Sequence, residues 1–460
     1  MALAENLTKT SVAPCLNRKV AIVGGGASGT LVAAQLLRRL EKGDEVVLIH
    51  NRPPESLGVA YGTGDLEHLL NVRSQSMTAY PDQPGHFVQW LVDQGVGQAA
   101  DLNDAFISRR IYGEYLSAAL AEARSHSQAE LRMIGDEAVE LQPVGTAYQL
   151  KLASGESLDA THVVLALGHL GPKLPSFLAG IDGHPRFVKT PWTNELRAIP
   201  IENEDLLIIG TGLTMVDTLM TLQSRVGANR IYARSRHGLL PQPHRAGPKP
   251  PPVQVEGPTD DIRALARQII GQCRAAGPEW RTIIDGCRGR TAEWWQGLDR
   301  RQRARFLRHL QVYWDVHRHR VAEETFAVVK QMQIQEQLDV ASATVTCVEP
   351  HHHGFTVRAK RTAGREEKLE VGWIVNCAGP QTDYRAAKSL LLESAVQSGL
   401  AVYDPMGLGL SVDNRYRTDP DARVWTLGPL CRGCLWETTA MPEIRVQAES
   451  IACQCTERSG

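Results

Sequence analysis

The sequence predicts an α/β protein in which a strand–glycine turn–helix unit is written twice, with a helical segment set among the strands. Three observations carry this. Residues 20–29 read VAIVGGGASG, an apolar run ending in closely spaced glycines. Residues 206–217 read LLIIGTGLTMVD and repeat that grammar near the middle of the chain. Between residues 260 and 330 strand signals stop, and stretches such as DDIRALARQIIGQC and RRQRARFLRHLQVYWDVHRHR show helical periodicity.

In chain order, residues 19–23 form the first buried strand, 30–40 an apolar-faced helix and 45–49 the next strand, a βαβ unit. Residues 51–85 are rich in Gly, Pro and polar side chains, and a loop this long in a compact domain is usually functional. Strands follow at 148–153 and 161–167, joined by an SGES turn. The second unit has its strand at 206–209, its helix in LTMVDTLMTLQS and its second strand in RIYARS. The linker-like GPKPPPVQVEGP leads into the helices. Strands return at 343–348, 355–359 and 373–376, and WIVNCAGP parallels the earlier VVLALGHLGP. HHHG at 351–354 reads as a hairpin turn rather than a metal site.

Length and composition fit this plan. The chain has 460 residues, 43% of them hydrophobic, whereas single cores stop growing at about 250–300 residues. A net charge of −1 gives no reason to expect nucleic acid as a partner. No apolar run reaches about 20 residues, so no membrane-spanning helix is expected. Residues 1–18 lack the apolar centre of a signal peptide and read as a loose arm, so a cytoplasmic protein is expected. Nine cysteines without framework spacing read as free thiols.

Gly24, Gly26 and Gly29 fit G-x-G-x-x-G between a strand and a helix. The first glycine permits the turn, the second lets backbone approach a pyrophosphate, and the third lets helix and strand pack closely. Ser28 lies within the same turn. Phosphates sit well at such a helix start, where free N–H groups and the dipole favour negative charge. The carboxylate usually found about 20 residues on is missing. His50, Asn51 and Arg52 stand there instead, and His50 is the candidate ribose contact. In the second turn Gly210 and Gly212 match, but Met215 occupies the third glycine position. Its strand ends in Arg234, Ser235 and Arg236 without an acid, a set suited to a ribose 2′-phosphate. A solvated strand end would carry the same residues. Two dinucleotide sites in one chain point to a flavin and a nicotinamide, with NADPH at the second turn passing a hydride to the flavin at the first.

GVAYGTGDLEHLLNVRSQSMTAYPDQPGHFVQWL, FISRRIYGEYL, GTGLTMVD and RGCLWETTAMPEIRVQA together resemble the FAD/NAD(P)-binding family of two-dinucleotide flavoproteins, a group similar to flavin-containing and N-hydroxylating monooxygenases. The resemblance implies two Rossmann-like domains. A discontinuous FAD domain takes in 19–195 and part of 340–450, and an NADPH domain at 200–255 is inserted in it. The rest divides into a helical insert at 256–335 that serves as a substrate lid, a return through 340–450, and tails at 1–18 and 451–460. It implies FAD and NADPH as cofactors, with a small molecule and O₂ as substrates. Asn71 becomes the candidate catalytic contact at the flavin's oxygen-reactive position, with Met77 and Thr78 beside it. Gly428 marks a backbone approach to the flavin, followed by Trp436, Glu437, Thr438 and Thr439.

The implied activity is an NADPH-consuming monooxygenase working through a flavin hydroperoxide, preferably on the nitrogen of an amine or amino acid. The alternative is an NADPH-dependent flavin reductase or a disulfide-type oxidoreductase, for which Cys431 and Cys434 in CRGC are the candidate dithiol. In the insert, Trp314, Arg318 and Arg320 in YWDVHRHR are the candidate substrate contacts, the arginines binding an acidic group. An ordinary helix-packing layer with a solvated basic face would look the same. His309, Asp315, His317 and His319 match no strong metal-ligand spacing.

Overall fold

A computed structural model describes residues 17–457 except 52–56, 202, 228, 248–249 and 363, so Arg52 lies outside the described residues. The strands in chain order are β1 (Lys19–Val23), β2 (Glu45–His50), β3 (Glu130–Gly135), β4 (Ala138–Val144), β5 (Ala147–Leu152), β6 (Ser157–Ala160), β7 (His162–Leu165) and β8 (Phe187–Val188). They continue with β9 (Leu206–Ile209), β10 (Ile231–Ser235), β11 (Leu338–His351), β12 (Gly354–Arg361), β13 (Glu366–Val371), β14 (Trp373–Asn376) and β15 (Val424–Thr426).

The short Val/Ile/Leu runs become parallel strands buried on both faces. The first sheet has the order β15-β7-β1-β2-β3 and is parallel throughout. The second has the order β13-β12-β11-β10-β9-β14-β8. Its β11-β10-β9-β14-β8 part is parallel, and β11 to β13 form an antiparallel meander. The separate antiparallel sheet β4-β5-β6 does for the first unit what the meander does for the second.

Alternation along each strand divides the cores. Val20 and Ile22 face the side covered by the helices Ala27–Leu37 and Arg109–His126, and Ala21 and Val23 face Leu141, Leu150 and the helix Leu390–Gln397. In the second unit Leu206 and Ile208 face the helices Leu213–Leu222 and Glu323–Ile334, while Leu207 and Ile209 face Phe355 and Val357 of the meander.

Three differences from expectation have local causes. β11 begins at Leu338, five residues before the expected strand, because Leu338 to Ser342 pair in parallel with β10 before the strand turns into the meander. The helix Glu323–Ile334 belongs to the second unit's core through Val329 and Met332, so the helical layer proper ends near Arg320. Residues 451–456 are not a tail. Met441–Thr456 is one helix, and Ile444, Ala448, Ile451, Ala452 and Cys455 recur at helical spacing on its buried face.

The chain crosses between the two units near residue 172 and returns near residue 380. The two crossings pair with each other: Lys173 N–H donates to Gly379 C=O at 2.9 Å, and Gln381 N–H donates to Gly171 C=O at 3.0 Å. Both are the Gly-Pro segments that follow the parallel stretches noted in the sequence. His351 and Gly354 close β11 and β12 as a tight hairpin, as the sequence predicts. No helix among the described residues is long and apolar enough to cross a membrane.

Candidate functional site

The first glycine turn has the geometry that phosphate binding requires. Gly24 has φ +114°, and a Cβ there would lie 2.9 Å from the Ala166 carbonyl carbon and overlap its oxygen. Gly29 is packed so closely that a Cβ would overlap the Gly24 carbonyl oxygen and stand 3.3 Å from Ile22 Cγ2. Gly26 is the N-cap of the helix Ala27–Leu37, in extended conformation and with no side chain capping the first-turn N–H groups. These are the donors an anion meets at a helix start. Gly25 lies over His50, where a Cβ would come within 2.7 Å of the imidazole-bearing carbon. A cavity of about 510 Å³ opens beside them, lined by Gly25, Thr30, His50, Leu57, Ser117 and Arg124 among others.

The C-terminal segment returns to this turn. Gly428, at φ +68°, places its α-carbon so that a Cβ would sit 3.4 Å from Ser28 Oγ. Its N–H donates to Gln447 Oε1 at 2.8 Å, and its carbonyl accepts from Thr438 Oγ1 at 2.7 Å. Ser28, Gly428 and Thr438, separated by up to 410 residues in sequence, are thus neighbours.

The second turn repeats the first. Gly24 N–H donates to Ile49 C=O and Gly210 N–H to Arg234 C=O, both at 2.8 Å. Gly210 has φ +107°, and its Cβ would lie 2.7 Å from the Cys377 carbonyl carbon, as that of Gly24 does against Ala166. Gly212 caps the helix Leu213–Leu222 with nothing within 4 Å of its missing Cβ. Met215 is fully buried between helix and strand.

This register corrects the expectation for Arg234. The matching hydrogen bonds make Arg234 the counterpart of Ile49, an inward position, and make Ser235 and Arg236 the counterparts of His50 and Asn51. Arg234 is 1% exposed. Its guanidinium donates to Glu367 at 2.8 and 3.0 Å and to Asp339 Oδ2 at 2.7 Å. Those carboxylates use its charge, so it is not available to a phosphate. Ser235 Oγ stands 2.8 Å from Thr211 Oγ1 and accepts from Gly238 N–H, and the Arg236 side chain is exposed at the strand end.

In the long loop, Asn71 is half-buried, and its carbonyl accepts from His244 Nε2 at 3.0 Å. Burial, with the Arg320 charge adding to it, lowers the His244 pKa to about 3, so the imidazole is neutral and donates that bond. Met77 is 2% exposed and lies in the first unit's apolar core. Thr78 Oγ1 donates to Gln83 C=O at 2.7 Å. Arg445 from the C-terminal helix donates to the Ser76 and Thr78 carbonyls, fastening the loop to that helix.

The helical insert is fastened to the C-terminal segment. Trp314 Nε1 donates to Glu437 Oε1 at 2.9 Å, and Arg318 pairs with Glu437 Oε2 at 3.2 Å. Burial would raise the Glu437 pKa, but Arg318 and His319 more than offset it, and the carboxyl is held below its usual range. Arg288 binds both oxygens of Glu443 through Nε and Nη2, and Trp295 Nε1 donates to Gly433 C=O at 2.7 Å. Arg318 and Arg320 were expected to bind substrate, but Glu437 and Asp285 already pair with them. Burial forces that pairing, because an uncompensated interior guanidinium is costly. Arg318 Nε and Arg320 Nε and Nη1 remain buried without a partner among the described residues.

Sequence reasoning missed the conformation of Trp436. It has φ +63° and ψ −68°, and Glu437 N–H donates back to Leu435 C=O at 2.9 Å, a strained three-residue turn. A cage holds it: Trp295 stacks at 4.8 Å, Arg432 lies over the ring at 4.2 Å and Phe306 meets it edge-on at 4.9 Å. Glu437 is the next residue, so the cage aims it. Nothing local in CLWET signals this, since the rings come from elsewhere in the chain.

CRGC does not have the setting of a redox dithiol. Cys431 is fully buried, and burial drives its thiol well above the usual range. Burial raises Cys434 as well, whereas a reactive thiol needs a lowered pKa. Cys377 at the second turn is pushed up to about 12, also by burial.

Residues 21–170 match the FAD-NAD(P)-binding family. A search of curated proteins found no match. Among solved structures, the FAD-bound cadaverine monooxygenase of desferrioxamine biosynthesis from Erwinia amylovora is similar at TM-score 0.68 and 14% identity, covering 96% of this chain and 95% of that one. The ornithine N-hydroxylase of Kutzneria sp. 744, solved with reduced FAD, NADP⁺ and L-ornithine, is similar at TM-score 0.64 and 16% identity, covering 96% and 99%. The bacillithiol disulfide reductase of Staphylococcus aureus is similar at TM-score 0.57 and 13% identity, covering 96% and 98%. Residues 21–170 are therefore an FAD-NAD(P)-binding domain, and the chain as a whole has the fold of the two-dinucleotide flavoproteins.

Proposed function

We propose that this chain is an FAD-dependent, NADPH-consuming monooxygenase that places one atom of O₂ on a small molecule, preferably on the nitrogen of an amine or amino acid. The net reaction is NADPH + H⁺ + O₂ + R–NH₂ → NADP⁺ + H₂O + R–NHOH. The observation that carries the reading is the closed wall over the C-terminal segment. Trp295, Phe306 and Trp436 are buried, and Trp314 and Arg318 bond Glu437 across the same surface. Oxygen insertion needs a centre from which water is excluded.

Bound FAD supplies the two-electron relay from NADPH and the activation of O₂. The residues present fit it. Gly24, Gly26 and Gly29 leave the first helix start open, Ser28, Gly428 and Thr438 converge beside it, and His50 lines the adjacent cavity. Gly210, Gly212, Ser235 and Arg236 would be the corresponding set for NADPH, in which the exposed Arg236 would supply charge for a 2′-phosphate. Asn71 is held through its carbonyl by a neutral His244, and its side-chain amide, which has no hydrogen bond among the described residues, would orient the substrate or the reacting oxygen. Glu437 is kept ionised, so it sets the charge of the wall without exchanging protons.

The reductase alternative draws on the fold shared with the bacillithiol disulfide reductase. The raised thiols of Cys431 and Cys434 oppose it. The test measures NADPH consumed, hydroxylamine formed and H₂O₂ released, with cadaverine, ornithine and lysine as probes. The wild type and C431S/C434S should both couple NADPH to hydroxylamine with one of these amines. Peroxide alone with every amine, or loss of NADPH oxidation in C431S/C434S, would sink the monooxygenase reading.

A further inference from the structure

The two units meet at the paired crossings near residues 172 and 380. A single antiparallel bridge, Pro172 opposite Pro380, makes a hinge and does not by itself fix an angle. A second junction lies on the helix Leu213–Leu222, which follows the NADPH-side glycine turn. Asp217 Oδ2 is 3.0 Å from Arg109 Nη1, and Arg109 Nε donates to Leu69 C=O at 3.0 Å. One turn further along, Thr221 Oγ1 donates to Asp65 Oδ2 at 2.7 Å. His68 Nε2 lies 3.0 Å from the Asp217 carbonyl and 2.9 Å from Thr221 Oγ1, while its Nδ1 meets Thr63 Oγ1 at 2.9 Å. Trp192 closes the cluster, edge-on to His68 at 5.8 Å and beneath Arg109 at 5.9 Å.

Thr63, Asp65, His68 and Arg109 come from the first unit, and Asp217 and Thr221 from the second. His68 is 4% and Asp217 6% exposed. In a polar cluster buried this deeply, removing Asp217 or Arg109 alone leaves the other as an unpaired buried charge, which the protein can relieve by letting the two units part and water enter. A third contact, between Asn71 and Arg73 of the loop and His244 and Arg245, lies nearer the insert.

We propose that Asp217 and Arg109, with His68, Asp65 and Thr221, form an interdomain latch that fixes the angle of the NADPH unit about the paired-crossing hinge and so positions the hydride donor against the flavin. They are positioning residues: none lies in either glycine turn. The proposal rests on the two-cofactor reading above. The latch holds the two glycine turns at one separation, so reduction by NADPH depends on it and reduction by a small diffusing reagent does not.

The test uses FAD-loaded R109M, D217N, the double variant and the milder T221V. Flavin reduction is followed anaerobically with NADPH and, separately, with dithionite. Small-angle scattering of the same samples reports the relative placement of the units. R109M and D217N should each slow reduction by NADPH at least tenfold and T221V by less, the double should be within about twofold of R109M and D217N, and dithionite reduction should be unchanged. The scattering profile should broaden in each. Wild-type rates with NADPH, equal slowing with both reductants, or multiplying effects in the double would overturn the latch. If NADPH reduces no sample, wild type included, the two-cofactor reading fails, and the scattering profile alone decides the latch. An unchanged profile in R109M and T221V would then refute it.

Discussion

Replacing Arg234 with Met separates structural from cofactor roles at the end of β10. The side chain is fully buried and shares its charge between Glu367 and Asp339. Breaking a buried pair by removing one partner typically costs about 3–5 kcal/mol. Two facts place R234M at the lower end: Asp339 is 39% exposed, and Glu367 keeps Arg361 at 2.6 Å. A loss of about 3 kcal/mol lowers the melting temperature of a domain of this size by roughly 6–12 °C. R234M should therefore unfold earlier with its KM for NADPH within about twofold of wild type. Arg236→Ala should do the reverse. Its exposed side chain carries no carboxylate pair among the described residues, so stability should hold while KM for NADPH rises about tenfold and KM for NADH stays put, since one charge-assisted hydrogen bond is lost. Calorimetry and initial-rate kinetics with both nucleotides read the two effects. An R234M protein of unchanged melting temperature whose KM rises for NADPH alone would refute the structural assignment.

Gly29→Ala should abolish FAD retention on gel filtration, since its Cβ overlaps the Gly24 carbonyl and the helix must move off the strand, whereas Gly212→Ala meets no protein atom within 4 Å, so its melting temperature should hold while its KM for NADPH rises, because the added Cβ stands where backbone approaches the pyrophosphate. Acid stability should follow the buried histidines. His244 titrates at about 3 in the fold, against about 6.5 in an unfolded chain. Between those values the unfolded state holds the extra proton, so stability is whole above about pH 6.5 and falls by up to about 1.4 kcal/mol per unit as pH drops towards 3. His244→Gln, which keeps a donor for the Asn71 carbonyl, should flatten denaturant midpoints over that window. An unchanged slope would show that His244 does not carry it.

The parts legible in the sequence are those in which neighbours along the chain decide the structure. Glycines 24, 26 and 29, the parallel between WIVNCAGP and VVLALGHLGP, and the helices up to about Arg320 are local patterns, and each takes the expected form. What was not legible depends on distant partners. Arg234 reads as a phosphate ligand until Glu367, 133 positions away, takes its charge. β3 and β4 are weak signals because much of each is exposed and neither alternates cleanly. The Trp436 turn is strained by itself and exists because Trp295 and Phe306 from the insert cage it. Asp217 lies on the helix that follows the second glycine turn, but its role depends on Arg109.

The place where the two copies diverge shows what the third glycine does. Gly24 and Gly210 share their positive φ, their hydrogen bond to the neighbouring strand and their closeness to a following strand's carbonyl. Those features place a helix start, and both copies have them. At the third position Gly29 lets its helix touch the Gly24 carbonyl, while Met215 is 0% exposed and fills the space between helix and strand. The third glycine thus sets helix–strand distance rather than phosphate contact, and restoring it in the second copy should not improve nucleotide binding. Met215→Gly removes a buried side chain, a change that costs about 2–5 kcal/mol for Met→Ala, and adds about 1 kcal/mol for glycine within a helix. The expected variant is distinctly less stable with KM for NADPH unchanged or higher. A tighter KM for NADPH in M215G would mean that the second turn lacks a phosphate contact the first possesses, and that the match between the copies ends at their second glycine.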